Sequence, residues 1–237
     1  PGIYMDIMGN KATAYGFIAA AEKAGLKLFL GSYPITPATD VLHELSKHKS
    51  LGVITVQCED EISGCATAIG ASFAGALAVT TTSGPGVCLK SEAMNLAVIT
   101  ELPLVVLNVQ RGGPSTGLPT KSEQTDLLQA LFGRNGESPM PVIAATSPTN
   151  CFDAAYAACK MALEHMTPVV LLTDGFVANG SGSWKLPNLD TYPEIKPQYV
   201  TPEMKDNYTP YKRNPENQVR YWAIPGQEGY THILGGL

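Results

Sequence analysis

The sequence predicts an α/β fold of three layers, in which helices cover both faces of a mostly parallel, six-stranded sheet. Two observations carry this. Six short runs between residues 26 and 173 are apolar on both of their faces and are separated by helical segments, as strands buried on both sides require. The Gly, Pro, acidic and basic residues that suggest binding also gather where those runs end, and ligands of such sheets sit beyond the carboxyl ends of the strands.

Ala12 to Ala24 has helical apolar spacing and stops at Gly25. Leu26 to Gly31 is an apolar strand running into Ser32-Tyr33-Pro34-Ile35-Thr36-Pro37, where two prolines forbid continuation. Ala38 to Lys47 is an amphipathic helix, and Val53 to Val56 a strand closed by Gln57-Cys58-Glu59-Asp60-Glu61. The next helix, Ile62 to Ala76, is built of small residues. Gly64, Gly70 and Gly75 weaken such a helix unless something approaches it closely, so it is expected to press on a sheet or a second subunit. Strand Leu77 to Thr82 ends in a Gly-Pro-Gly turn, followed by a helix from about Val87 to Ile99. Strand Leu102 to Val109 reaches Gln110-Arg111-Gly112-Gly113 and a loop rich in Gly, Pro, Ser and Thr. Ser122 to Phe132 reads as a helix capped by Ser122, Val142 to Ala145 as a strand, Asn150 to Glu164 as a helix and Pro168 to Thr173 as the last strand.

Three regions follow: residues 1–8 as a lead or linker, 9–186 as the folded domain, and 187–237 as an irregular strap. In the strap, Pro187, Pro193, Pro197, Pro202, Pro210, Pro215 and Pro225 mix with Tyr and charged residues and allow little regular structure. The first residue is Pro1 and the last is Leu237 in a Gly-rich stretch, so the sequence is expected to be a piece of a longer chain, with the strap leading toward a further domain.

Composition narrows the function. With 44% hydrophobic and 16% charged residues, 237 residues make a globular, interface-rich protein. A net charge of −5 without a basic run argues against nucleic acid and anionic membranes, and no apolar run approaches a membrane span. The five cysteines (Cys58, Cys65, Cys88, Cys151, Cys159) show no metal or cluster spacing, sit in apolar or small-residue settings, and are expected to be buried, reduced thiols of a cytosolic protein.

Several motifs are weaker than they look. Gly84-Pro85-Gly86-Val87-Cys88-Leu89-Lys90-Ser91 approaches a phosphate loop, but Leu89 stands where the second required glycine belongs. No G-x-G-x-x-G follows the first strand, and Thr173-Asp174-Gly175 lacks the first glycine of the motif that holds a magnesium diphosphate. Glu59 and Asp60 are explained by the dipole at a helix N-terminus. Glu61, directly before the small-residue helix, is the candidate buried acid, and Arg111, beside two glycines at a strand end, the candidate anion-binding group. Ser83 and Gly84 shape a turn whose backbone can border a ring. His43, His48, His165 and His232 have no partner spacing and read as solvated.

The strand-end acid, the small-residue helix and Thr82-Ser83-Gly84-Pro85-Gly86 together resemble the pyrimidine-binding domain of thiamine-diphosphate enzymes. Adding Ser32 to Pro37 and Asn108 to Gly117 gives four motifs in order, and over residues 9 to 186 the chain resembles the alpha subunit of 2-oxoacid:ferredoxin oxidoreductases; Gln110 to Lys121 is most similar to the 2-oxoglutarate branch.

The resemblance implies thiamine diphosphate as cofactor, with Glu61 as the acid bonded to ring N1′ and sheltered from water. It implies Pro34, Ile35, Ser83, Gly84, Pro85 and Gly86 along the cofactor, Thr36 on the substrate's carboxylate or keto oxygen, Arg111 paired with a substrate carboxylate, and Lys121 as the next substrate-binding candidate. The reaction implied is oxidative decarboxylation of a 2-oxoacid, with coenzyme A taking the acyl group and ferredoxin the electrons. Magnesium and an iron–sulfur cluster would be held by a beta subunit, a gamma subunit or domain would accompany it, the alpha chain would pair with itself, and the whole would reside in a prokaryotic cytoplasm. Two rival readings remain open: another thiamine enzyme, such as a decarboxylase or acetolactate synthase, and a non-catalytic module that keeps the fold.

Overall fold

The chain opens on a strand where a lead was expected: β1 (Tyr4–Met8) pairs antiparallel with β8 (Ser181–Lys185), from Tyr4 opposite Lys185 to Met8 opposite Ser181. Between them lies the parallel sheet. Its strands are β2 (Leu28–Ser32), β3 (Val53–Gln57), β4 (Leu77–Thr82), β5 (Leu104–Gln110), β6 (Val142–Ala144) and β7 (Pro168–Asp174), in the spatial order β3-β2-β4-β5-β7-β6. The computed structural model describes residues 1–205 and 207–235; Asp206, Gly236 and Leu237, which the sequence reading assigned to the strap, lie outside the described residues.

Two layers of helices cover the sheet, as the doubly apolar strands require. Helices α1 (Gly9–Ala24), α2 (Thr39–Leu45) and α7 (Asn150–His165) pack on one face in a core built around Phe17, Leu30, Leu107 and Phe152. Helices α3 (Glu61–Phe73), α4 (Gly84–Leu89), α5 (Ser91–Ile99) and α6 (Leu127–Phe132) cover the other face, around Cys65, Met94 and Val106. A short α8 (Gly175–Asn179) follows β7. Strands β4, β5 and β7 are buried along their whole length, which explains their lack of alternation.

Two helices differ from the expectation, both at the ligand-binding end. Ser83-Gly84-Pro85-Gly86 is the start of a helix, with Ser83 at the N-cap and Pro85 in the first turn, where a missing amide hydrogen costs nothing. The expected helix from Ser122 begins only at Leu127, with Asp126 at its N-cap. The side chain of Gln110 accepts the Asp126 amide at 3.0 Å and anchors residues 120–126 as a loop over the strand ends.

The strap is irregular but packed. Its Trp222 stacks on Tyr199 and is fully buried. Arg220 Nε donates to the Glu101 carbonyl at 3.0 Å, Arg213 pairs with the Glu101 carboxylate, and Ile224 lies where a side chain on Gly75 would go. Glu101 and Gly75 lie shortly before β5 and β4, so the strap packs at the amino edge of the sheet.

Candidate active site

The small-residue helix serves one local purpose. Gly31 in β2 and Gly64 in α3 face each other so closely that a Cβ on Gly64 would lie 3.2 Å from the Ser32 main chain, and one on Gly31 would overlap the Gly64 carbonyl. This contact seats the first turn of α3 over the end of β2. Gly70 does not share it: a Cβ there meets nothing within 4 Å. Gly75 lies beyond the helix in the left-handed region, with φ of 91°. The close face therefore runs through Gly64 and the buried Ala68, against the sheet.

At the start of α3 the three acids separate by role. Glu59 is exposed, and Asp60 is the N-cap, its Oδ1 accepting the Ser63 amide at 2.7 Å. Glu61 turns inward and keeps 8% of its surface exposed. Among the described residues its carboxylate takes part in no hydrogen bond, and its oxygens are not among the fully buried polar atoms that lack a partner. A Cβ on Gly86 would come within 3.0 Å of Glu61 Cγ and overlap Thr82 Oγ1, so the second glycine of Gly-Pro-Gly makes room for the acid.

Arg111 reaches across from β5 to the loop after β2. Nη1 donates to the Thr36 carbonyl at 2.7 Å, and Nη2 to the Thr116 carbonyl at 2.6 Å. Burial pulls its pKa below the usual arginine range, and the nearby Glu61 charge pulls the other way. Its Nε has no partner among the described residues. The guanidinium borders a cavity of about 610 Å³, lined also by Gly84, Pro85, Cys88, Thr116, Asp126 and Gln129.

Of the residues expected to form the site, Arg111, Gly84 and Pro85 line this cavity, and Glu61 lies behind the start of α4, against Gly86. Ser83 is fully buried, its Oγ without a partner among the described residues. Pro34 and Ile35 are half-buried in the loop that Arg111 ties down, and Thr36 is exposed, offering its carbonyl to Arg111. Lys121 is exposed and does not line the cavity; its carbonyl accepts the Gly112 amide at 2.7 Å, so its observed contribution is to shape the loop.

Three residues were missed. Asp126 borders the cavity beside Gly84, held by Asn108 Nδ2 at 2.8 Å; as a single acid before an apolar helix it reads from sequence as a cap, which it also is. Asn108 is fully buried, and its place inside an apolar strand was the signal that could have found it. Lys90, also fully buried, was passed over with the discarded phosphate loop.

The weak motifs resolve the same way. Helix α4 leaves no phosphate cradle, and Asp174 caps α8, accepting the Phe176 amide at 2.7 Å, while its other oxygen accepts from Gln124 at 2.7 Å. Among the described residues no group of three His, Cys, Asp or Glu could hold a metal ion. No helix there is long and apolar enough to cross a membrane. Four thiols are buried, and burial pushes Cys65 and Cys151 up to about 11. Cys88 is a correction: it is exposed at the cavity, where Gln129 Nε2 donates to its sulfur at 2.8 Å.

Known proteins share this architecture. The family model described as pyruvate flavodoxin/ferredoxin oxidoreductase, thiamine diphosphate-binding, matches residues 19–233. The 2-oxoglutarate oxidoreductase subunit KorA of Mycobacterium tuberculosis is 56% identical over 237 residues, covering 100% of this chain and 36% of the relative. The 2-oxoglutarate synthase subunit KorA of Methanothermobacter thermautotrophicus is 37% identical over 232 residues, which are 98% of this chain and 59% of its own. The solved 2-oxoglutarate:ferredoxin oxidoreductase from Magnetococcus marinus, with 2-oxoglutarate, coenzyme A and succinyl-CoA bound, superposes with a TM-score of 0.91 at 36% identity. That match covers 100% of this chain and 40% of the solved one, so the chain spans well under two thirds of each of these proteins.

Proposed function

The chain belongs to the pyruvate flavodoxin/ferredoxin oxidoreductase family, in its thiamine diphosphate-binding part, and from that premise we propose that it forms the cofactor-activating portion of a 2-oxoglutarate:ferredoxin oxidoreductase alpha subunit. The observation that carries the proposal is Glu61. It is a carboxylate on a side chain 8% exposed, without a hydrogen-bond partner among the described residues, at the start of a helix seated by Gly31 and Gly64, with Gly86 leaving room for it.

The residues present fit the pyrimidine half of thiamine diphosphate. A lone carboxylate offers a partner for a ring nitrogen, the buried Ser83 Oγ is unsatisfied, and Gly84 and Gly86 bring backbone close without side chains. Thiamine diphosphate supplies, when bound, the carbon nucleophile and electron sink for decarboxylating a 2-oxoacid. Glu61 would hold the activating proton at its carboxylate, with Pro34, Ile35, Ser83, Gly84, Pro85 and Gly86 as the apolar and main-chain walls that exclude water. Arg111, already bound to two carbonyls, would offer its remaining N–H groups to a substrate carboxylate, with Thr36 beside it and Lys121 as a more distant candidate.

The proposal includes a division of labour between subunits. In that division a beta subunit holds the diphosphate, magnesium and an iron–sulfur cluster, and a gamma subunit or domain accompanies it. The alpha chain pairs with itself, and coenzyme A and ferredoxin take the products in a prokaryotic cytoplasm. 2-Oxoglutarate is favoured as substrate because the KorA relatives are named for it. The test is reduction of ferredoxin or a dye by the complete enzyme with thiamine diphosphate, coenzyme A and either 2-oxoglutarate or pyruvate. Reduction that requires the first three is expected; none with either oxoacid, or a preference for pyruvate, would sink the proposal or its substrate.

A further inference from the structure

Lys90 has no part in the reading above, yet it is a buried cation bonded to the start of α3. It stands at the junction of α4 and α5, and its side chain runs inward to complete burial. Nζ donates to the main-chain carbonyl of Glu61 at 3.0 Å and to Thr80 Oγ1 at 2.9 Å. One side chain thus joins the first turn of α3, the middle of β4 and the helix that begins at Gly84.

An ammonium in such a place is costly, and a methionine would fill the space without the cost of stripping water from a charge. Burial pulls its pKa below the ordinary lysine range, opposed by Cys65, Glu61, Cys58 and Asp60 around it. What the lysine adds is direction. Asp60 holds the α3 N-terminus through the Ser63 amide, and Lys90 holds it through the Glu61 carbonyl, so the Glu61 backbone is fastened from two sides while its carboxylate stays free.

We propose that Lys90 is a positioning residue for Glu61: through the Glu61 carbonyl it fixes the first turn of α3 and hence the place of the Glu61 carboxylate at the carboxyl edge of the sheet. The inference rests on the reading of Glu61 as the proton-holding acid. A lysine that merely braced the fold would change stability and lower every variant's rate alike.

The test uses the complete enzyme with Lys90→Met, alone and combined with Glu61→Gln. Lys90→Met should lower kcat roughly 10- to 100-fold, as a small misplacement of a reacting group does, with KM for the oxoacid nearly unchanged. In the Glu61→Gln background it should lower the rate by less than about twofold, because the group it positions has gone. Amide exchange in the first turn of α3, measured on enzyme stripped of cofactor, should quicken. An unchanged kcat, or an equal loss in both backgrounds, overturns the proposal. If Lys90→Met fails to assemble, Thr80→Val, which removes one acceptor and keeps the lysine, decides instead: a several-fold loss confined to the Glu61 background supports it, and none overturns it. If Glu61→Gln itself turns over like the unsubstituted enzyme, the premise falls and Lys90 with it, which separates that failure from a failure of Lys90 alone.

Discussion

The two edges of the central sheet are finished in opposite ways. At the amino edge the strap sets Arg220 against Glu101 and Ile224 against Gly75, shortly before β5 and β4, and buries Trp222 within its own packing against Tyr199. At the carboxyl edge Arg111 and Asp126 border a cavity, with Glu61 behind the start of α4 against Gly86. Lone polar atoms occur at both, since Trp222 Nε1 and Arg220 Nη2 have no partner among the described residues any more than Ser83 Oγ or Arg111 Nε. An orphaned polar atom therefore does not identify a site by itself. What separates the edges is the meeting of such atoms with strand ends, close glycines and free space. Stability should reside at one edge and activity at the other.

The largest expected effect tests the carboxyl edge. In the assembled enzyme, Glu61→Gln should cut turnover by roughly 10²- to 10⁴-fold with little change in melting temperature, while Glu59→Gln, altering an exposed acid, stays near normal. The reverse order of the two would mean the wrong carboxylate was chosen. Next comes the amino edge: Trp222→Ala should destabilise the chain by about 3–5 kcal/mol in denaturant unfolding, as deletion of a large buried aromatic does. Enzyme that remains folded should keep its KM for the oxoacid; a selective loss of substrate binding would break the division of roles.

Arg111→Ala should raise the oxoacid KM or lower kcat/KM about tenfold or more, the scale of a charge-assisted hydrogen bond of ~1.5–3 kcal/mol. Arg111→Lys should fall short of rescue, since one ammonium cannot span the Thr36 and Thr116 carbonyls as the fork does. Normal oxoacid kinetics in both would remove the arginine from the site. The smallest effects concern α3: Ala68→Leu should cost ~1–3 kcal/mol by overpacking the sheet-facing side, whereas Gly70→Leu has room within this chain. Equal melting temperatures for the two would show that the helix does not discriminate between its faces.

Much of this was legible in the residues. The short apolar runs marked all six members of the parallel sheet, most firmly β4, β5 and β7, since a strand covered on both sides has little freedom in composition. Glu61 stood out because it separates an apolar strand from a run of Gly and Ala. The misses have a common cause, which is that one residue type serves two local structures. Gly-Pro-Gly opens a helix as readily as it makes a turn, so α4 was read as a turn. Gly70 looked like Gly64, since one-dimensional spacing does not say which side of a helix meets the sheet. The roles of Lys90 and Asn108 were not assigned because their partners come from distant segments, Glu61 with Thr80 and Asp126 respectively. β1 was missed because five residues, Tyr4 to Met8, carry too short a pattern without the partner strand.

That partner strand has a consequence for how the molecule is made. Of the strands described, β1 comes first in the sequence and its mate, β8, last, so their pairing spans nearly the full length of the α/β unit. A pairing of such long range must wait for most of the chain, and contacts of this kind slow folding. Until Lys185 is in place, the edge of β1 has no partner strand, and any shortening of the chain before that residue removes the mate on which its pairing depends.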